Sequence, residues 1–279
     1  MRAILLLIVI LLLYACKPEA TPVQYGSNNG KYVTIQGTKI YYEEYGEGMP
    51  LLLLSGGGIN RSISDFGKCI PGLSERYRVI APDSPGQGRS EQSDTLTYAI
   101  LAEFMSAFID SLRVDSVYVM GWSDGGIASI LLAAQRSDKV RKIIAVGANN
   151  GVRRAIPPEI PIDSVYPPSL EYFAENNKEM IERYMSLLPR DWKKQVSDLT
   201  AMWYEKEVYY PDSIYNAINI PVMIVLGDRD DIITEHGLDM HRQIGGSAFC
   251  VLPNTSHDVF AEKPELINRI ALGFFGGEY

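Results

Sequence analysis

Short runs of consecutive apolar residues, repeated along the chain, constrain its fold more than any other feature. The runs span residues 51–54, 79–81, 117–120, 143–146 and 222–226. Strands that are apolar on both faces belong to parallel sheets that helices cover on each side. Helical patterns at residues 98–112 and 126–135 lie between these runs. Strand, helix and strand in succession imply right-handed crossovers, and predict an α/β domain with a doubly wound, mostly parallel sheet.

Two segments depart from this alternation. Residues 31–35 and 39–45 alternate in polarity around Gly37-Thr38, which predicts an opening antiparallel hairpin. Residues 152–213 carry several prolines and then amphipathic helical pieces. We expect this stretch to be a helical cap inserted into a core of residues 31–151 and 214–279. A surface elaboration without a role in a site is the alternative, but the aromatic content favours a lid over a pocket. The aromatic residues are Tyr172, Phe173, Tyr184, Trp192, Trp203 and Tyr204.

The N-terminus has the features of an export signal. Residues 1–15 contain one cation, Arg2, then an apolar run, and end on Ala15. The run is shorter than the ~20 residues that span a bilayer as a helix. Leu13-Tyr14-Ala15-Cys16 resembles a bacterial lipobox, so we expect export to the cell envelope and lipid anchoring at Cys16, although Tyr14 departs from the usual pattern. A simple membrane anchor or a buried N-terminal helix is the alternative. Residues 16–30 are predicted to form a flexible tether.

Charge and cysteine content limit the partners and the covalent links. The 279 residues carry a formal net charge of -8, so no basic surface for nucleic acid is expected. Membrane contact is therefore predicted through the lipid anchor alone. Cys69 and Cys250 remain if Cys16 is acylated; a disulfide between them and two unrelated buried thiols both stay open, with the thiols favoured. The sequence does not indicate an oligomeric state.

The motif Gly121-Trp122-Ser123-Asp124-Gly125 fits the pattern G-x-S-x-G. It follows a buried strand and precedes a helix, which is the context in which the motif presents a nucleophile. A serine on a sharp strand-to-helix turn projects its hydroxyl above the sheet, and small flanking residues allow the backbone to turn. Ser123 is therefore the candidate nucleophile.

A serine hydroxyl is a weak nucleophile until a base takes its proton. His257 follows the apolar run 248–252 and precedes a final helical pattern at 264–275, which places it over the carboxyl ends of the strands. His236 and His241 are five residues apart in a helical stretch, so they do not indicate a metal pair. The base needs a carboxylate to orient it. Asp230 is preferred over Asp228 because it lies deeper in the loop after the strand.

The loop Ser55-Gly56-Gly57-Gly58 follows the first apolar run. Gly57, with Gly58 second, is the candidate for one oxyanion N–H, a contribution of about 3 kcal/mol; the alternative is a tight turn without this role. The backbone N–H of Asp124 is the candidate for the other. The glycine run lacks dinucleotide-binding spacing, and neither a P-loop nor metal-ligand spacing is present. We therefore expect no cofactor and no metal.

With these residues the chain resembles the α/β-hydrolase superfamily from about residue 33 to residue 275. The segment 83–90 is similar to the D-x-x-G-x-G-x-S loop of that family, and residues 121–127 and 147–149 look like valacyclovir hydrolase (biphenyl hydrolase-like) enzymes. That resemblance implies that the Asp124 carboxylate holds a substrate α-ammonium group; a helix N-terminal preference is the equal alternative. Gly58 and Trp122 are further candidates for substrate binding. Ser55 replaces the usual histidine, which blurs the subfamily.

The predicted activity is hydrolysis of small carboxylic esters, including α-amino acid esters, through an acyl-enzyme. Amide hydrolysis is a further option. Two alternatives remain: carbon–carbon bond hydrolysis on the same triad, and a non-catalytic binding lipoprotein with this fold. The intact Ser123, Asp230 and His257 argue against the last.

Overall fold

A computed structural model describes residues 23–151, 155–165, 167–205 and 211–278. The predicted signal peptide, residues 1–15, and the predicted lipidation site Cys16 lie outside the described residues. Among the helices that are described, none is long and apolar enough to cross a membrane.

One eight-stranded sheet forms the centre of the molecule. Strands β1 to β8 span Lys31–Ile35, Thr38–Tyr45, Met49–Leu54, Tyr77–Pro82, Val117–Trp122, Val140–Val146, Val222–Gly227 and Ala248–Leu252. Their order in the sheet is β1-β2-β4-β3-β5-β6-β7-β8. β2 pairs antiparallel with β1 and β4, and the other pairings are parallel. The predicted hairpin and doubly wound sheet are confirmed, and the chain has an α/β-hydrolase fold with an inserted helical cap.

Helices cover both faces of the sheet. The α-helices of the described residues, α1 to α10, span Ile70–Leu73, Tyr98–Ser111, Asp124–Gln135, Leu170–Asn176, Lys178–Leu187, Trp192–Trp203, Asp212–Ala217, Thr234–Gln243, Val259–Glu262 and Pro264–Gly276. Short 3-10 helices form at Ile63–Phe66 and Ile162–Ser164. The predicted cap, residues 152–213, contains α4 to α6, and α7 crosses its predicted end.

Successive residues of the central strands point to opposite layers of the core. Leu52 and Leu54 pack in the layer formed with α2 and α3, whereas Leu51 and Leu53 pack in the layer formed with α1 and α10. This explains why the central strands are apolar at every position. Both cysteines of the described part of the chain are free thiols: Cys69 is buried and Cys250 is partly buried.

The segment just before β1 packs on the core. The flexible tether predicted for residues 16–30 therefore ends before residue 30. The buried carboxylate of Glu43 accepts hydrogen bonds from the backbone N–H groups of Gly26 and Asn28, at 2.9 and 2.7 Å. The Tyr25 ring lies edge-on to Tyr45, with ring centroids 5.2 Å apart. Composition alone favours a flexible linker here, but the buried Glu43 carboxylate on β2 accepts two backbone hydrogen bonds and fixes the segment in place.

The cap docks on the loop that follows β4. The hydroxyl of Tyr184, on α5, donates to the carbonyl of Gly86 at 2.8 Å. The Arg190 guanidinium lies 3.8 Å from the Tyr184 ring and donates to the carbonyl of Gly88 at 2.9 Å. Buried residues of α5 and α6 belong to the same apolar cluster as Leu52 and Leu54. The cap is therefore continuous with the core of the domain.

Candidate active site

Ser123 occupies the sharp turn between β5 and α3. Its φ of 53° and ψ of -116° lie outside the regions that non-glycine residues ordinarily adopt. The turn is possible because its flanks are glycine: a Cβ at Gly121 would overlap the carbonyl of Gly125, and a Cβ at Gly125 would overlap the carbonyl of Leu54. The strained backbone is the geometry expected of a nucleophile elbow.

His257 and Asp230 form a hydrogen-bonded pair beside this turn. The ring Nδ1 of His257 lies 2.7 Å from Oδ1 of Asp230, whose side chain is fully buried. Burial of the imidazole lowers its pKa, but the hydrogen bond and charge of Asp230 outweigh this, so the pKa of His257 is raised above 6.5. The carboxylate also accepts the N–H of Ile232 at 3.0 Å, which fixes its orientation.

The other candidates for these roles have different partners. Asp228 accepts the backbone N–H of Thr255 at 2.9 Å and so braces the loop that carries His257. His236, on α8, accepts the backbone N–H of Asn150 at 2.8 Å. Within the described residues, the side-chain hydrogen bond of the His257 ring is to Asp230.

One cavity brings the nucleophile and the base together. Its volume is about 470 Å³, and Ser123, His257, Gly57 and Asp124 all line it. The indole N–H of Trp122 donates to the backbone carbonyl of His257 at 2.9 Å, which ties the elbow to the histidine loop. The three loops that the sequence singled out therefore meet above the carboxyl edge of the sheet.

The two residues predicted to supply oxyanion N–H groups, Gly57 and Asp124, both line the cavity of Ser123. Asp124 is the first residue of α3, so the helix offers its N–H no acceptor. Gly57 packs directly on Asp124, and a Cβ at Gly57 would overlap the Asp124 carboxylate. Among the described residues, neither N–H donates a hydrogen bond. Both N–H groups therefore have the capacity to donate to a bound ligand.

The Asp124 side chain is 4% exposed and makes two hydrogen bonds to neutral donors. The hydroxyl of Tyr98 reaches Oδ1 and the indole N–H of Trp203 reaches Oδ2, both at 2.8 Å. Burial raises the pKa of Asp124 above its ordinary value, although both hydrogen bonds oppose this effect. The carboxylate is thus desolvated at the cavity wall, and each oxygen retains a lone pair for a further donor.

The predicted substrate-binding residues lie on two adjoining cavities. Trp122 lines the cavity of Ser123, and Gly58 lines a neighbouring one of about 210 Å³. Cap residues close the second cavity: Phe173, Met180, Val196, Leu199 and Trp203 are among its lining residues. Gly57 and Trp203 line both cavities, so a substrate at Ser123 can extend an apolar group beneath the cap.

A family model described as the alpha/beta hydrolase family matches residues 51–270. The chain belongs to this family. "Uncharacterized hydrolase YugF" of Bacillus subtilis (strain 168) is 28% identical over 258 residues, covering 85% of this chain and 94% of YugF. "Serine hydrolase BPHL" of Homo sapiens is 24% identical over 253 residues, covering 87% of this chain and 84% of that protein.

A solved structure has the same fold. The meta-cleavage product hydrolase from Pseudomonas fluorescens IP01 matches with a TM-score of 0.73 and 21% identity, over 90% of this chain and 98% of that one. The resemblance to the α/β-hydrolase superfamily is confirmed, and the protein is a hydrolase on this scaffold.

Sequence reasoning did not assign Tyr98 and Trp203 to the site of this hydrolase. Tyr98 was the start of a predicted helix, and Trp203 was one aromatic of the predicted cap. A signal for Trp203 was present, because Trp192, Val196, Leu199 and Trp203 follow the spacing of one helix face. No comparable pattern marks Tyr98, whose hydroxyl reaches Asp124 from 26 residues away.

Proposed function

We propose that this hydrolase cleaves small carboxylic esters through an acyl-enzyme on Ser123. The observation that carries the proposal is the 2.7 Å contact between His257 and Asp230, with His257 lining one cavity together with a serine in a strained turn. The same arrangement argues against a non-catalytic binding protein, because a carboxylate-oriented imidazole is the base that a serine nucleophile requires.

In the first half of the reaction, Ser123 Oγ attacks the ester carbonyl while His257 Nε2 takes the hydroxyl proton. Asp230 holds the imidazole in the tautomer that leaves Nε2 free to accept it. The N–H groups of Gly57 and Asp124 stabilise the oxyanion. The intermediate then collapses, the carbon–oxygen bond to the alcohol breaks, and His257 returns the proton to the departing alkoxide.

In the second half, water attacks the acyl-enzyme and gives its proton to His257. The second tetrahedral intermediate expels Ser123 Oγ, which regains a proton from His257, and the carboxylic acid is released. Hydrolysis of short acyl nitrophenyl esters tests this proposal. A burst of nitrophenolate, one per enzyme, is expected where deacylation is slower than acylation; the absence of turnover on every short acyl ester would contradict it.

The activity is expected to fall in acid, with its midpoint above pH 6.5. The attacking form of the enzyme has a neutral imidazole, and the raised pKa of His257 keeps the ring protonated to a higher pH than in a free histidine. Measuring kcat/KM between about pH 5 and pH 9 should give an acid limb that reports this pKa. A limb centred below pH 6.5 would contradict the assigned pairing with Asp230.

We further propose that the Asp124 carboxylate receives the α-ammonium group of amino-acid esters. Support comes from its burial at the cavity wall and its two neutral partners, since a nearby cation favours the ionised form of a buried carboxyl group. Asp124→Asn should lower kcat/KM for an aminoacyl ester by about ten- to a hundredfold. The matched control is the plain acyl ester of the same alcohol. The variant keeps the backbone N–H of residue 124, so this ester should be cleaved nearly as well as by wild type. An equal loss of kcat/KM on both esters would contradict the ammonium-binding role.

Carbon–carbon bond hydrolysis is the second candidate for this site. It is favoured by the structural match to a meta-cleavage product hydrolase, which covers 90% of this chain. Comparing kcat/KM for short acyl nitrophenyl esters with that for a vinylogous diketone separates the two reactions. Faster turnover of the ester supports our proposal, and faster turnover of the diketone supports the alternative.

Export and lipid anchoring at Cys16 in a bacterial envelope are also proposed. The support is the sequence alone: an apolar run after Arg2 and Cys16 directly after Ala15. Cells grown with an alkyne fatty acid should label the wild-type protein and the control Cys69→Ser, whereas Cys16→Ser should stay unlabelled. An unlabelled wild-type protein would contradict the anchor.

A further inference from the structure

Arg61 is a charged residue of the cavity that has no role in the proposed reaction. It follows the loop that carries Gly57, and its guanidinium carbon lies 4.4 Å from the centroid of the Trp122 ring. Arg61 lines both the cavity of Ser123 and the neighbouring apolar cavity. Its side chain is 28% exposed, so stacking on the indole fixes the group without removing it from the cavity.

The protein leaves most of the hydrogen-bonding capacity of Arg61 unused. Its contacts to carboxylates are long: 3.4 Å to Asp258 Oδ1 and 3.7 Å to Asp65 Oδ1. A bidentate guanidinium–carboxylate pair has distances of about 2.8 Å. A guanidinium has five N–H donors, and within the described residues the contact to Asp258 is the one side-chain hydrogen bond that Arg61 makes.

Neither carboxylate near Arg61 forms a close ion pair with it. The side chain of Asp258 is 50% exposed, so water screens its pair with Arg61. Burial raises the pKa of Asp65 to about 6, even though Arg61 acts in the opposite direction. The carboxylate of a ligand can therefore accept hydrogen bonds from the guanidinium N–H groups without first breaking a strong ion pair.

Besides His257, three charged side chains line the cavity: Asp124, Arg61 and the solvent-exposed Asp231. Asp124 is on the oxyanion side, beside Gly57. Arg61 is on the side of His257. It stacks on Trp122, and the indole N–H of Trp122 donates to the backbone carbonyl of His257. Arg61 also contacts Asp258, the residue after His257. Among the described residues that line this cavity, Arg61 is the sole lysine or arginine. In the proposed reaction His257 protonates the departing alcohol, so we assign Arg61 to the leaving-group side.

We propose that Arg61 binds a carboxylate carried by the leaving group, so that the preferred substrates are esters of hydroxy acids. This inference rests on the proposed ester hydrolysis and adds a specificity-determining residue to it. With Asp124 on the acyl side and Arg61 on the alcohol side, the cavity fits an ester that carries a positive charge on its acyl group and a negative charge on its alcohol. The guanidinium recognises the carboxylate by paired N–H donors, a geometry that a lysine ammonium reproduces in part.

Matched aryl esters test the inference. The pair is 3-carboxyphenyl butanoate and its neutral isostere 3-carbamoylphenyl butanoate, assayed with wild type, Arg61→Gln, Arg61→Lys and the exposed control Arg242→Gln. We expect wild type to prefer the carboxylate ester, and Arg61→Gln to reduce the ratio of the two kcat/KM values about ten- to a hundredfold, mainly through KM. Arg61→Lys should keep part of the preference, and Arg242→Gln should keep all of it.

The outcomes separate this inference from the proposed function. If wild type cleaves both esters equally well, or if Arg61→Gln lowers both values by the same factor, Arg61 has no role in recognition while ester hydrolysis stands. If wild type prefers phenyl hemisuccinate over phenyl butanoate and shows no preference within the carboxyphenyl pair, the carboxylate is recognised on the acyl side and the inference is wrong. If wild type cleaves no ester, the proposed function fails and the inference fails with it.

Discussion

Replacing Ser123 by alanine should lower kcat for a short acyl ester about a millionfold. The loss is large because the substitution removes the atom that forms the acyl-enzyme, so His257 and Asp230 have no nucleophile to activate. The residual rate would come from oxyanion stabilisation and substrate positioning by groups that the substitution does not touch. The measurement is steady-state hydrolysis with freshly purified variant, corrected for any wild-type contamination.

Ser129→Ala is the matched control for this experiment. Ser129 is a buried serine six residues further on, and its hydroxyl donates to the carbonyl of Gly125 at 2.7 Å. Its loss removes a buried hydroxyl from the same helix without touching the cavity, so most of the activity should remain. If Ser123→Ala and Ser129→Ala were equally active, Ser123 would not be the nucleophile.

Replacing Asp230 by asparagine should lower kcat about ten-thousandfold. Asparagine has nearly the same shape, so the loop should keep its structure. The charge that stabilises the imidazolium is lost, and an amide N–H facing Nδ1 favours the wrong tautomer of His257. The same substitution should also shift the acid limb of kcat/KM to lower pH, because Asp230 raises the pKa of His257.

Asp228→Asn is the matched control, because it makes the same chemical change two residues earlier in the same loop. Asp228 accepts the N–H of Thr255, whereas Nδ1 of His257 is paired with Asp230. We expect this variant to lose far less activity than Asp230→Asn. The reverse order of activities would assign the orienting carboxylate to Asp228 and overturn the preference for Asp230.

The local parts of this site could be predicted from the sequence because each depends on residues close together in the chain. A buried strand, a glycine-flanked serine and a helix define the elbow at Ser123 within about a dozen residues. His257 and Asp230 follow strands β8 and β7, and parallel strands bring their carboxyl ends to the same edge of the sheet. The pairing of Asp230 with His257 follows from that topology once the sheet is formed.

The remaining parts depend on how distant segments dock, which no local pattern encodes. Trp203 reaches Asp124 across 79 residues because the cap packs over the elbow. Glu43 holds the backbone at Gly26 and Asn28, where composition favours a loose tether. Arg61 stacks on Trp122 because two loops from different strands meet at the cavity. In each case one side chain finds a partner that only the assembled fold provides.

The central claim, an activated Ser123 in a folded hydrolase, is tested most directly by a fluorophosphonate probe and mass spectrometry. The probe reacts with a serine whose proton is taken by a neighbouring base. Denatured protein is the control, because unfolding separates the serine from that base. We expect one covalent adduct, located on Ser123, in the native protein and none after denaturation. A folded protein that forms no adduct, or forms it on another serine, would contradict the account.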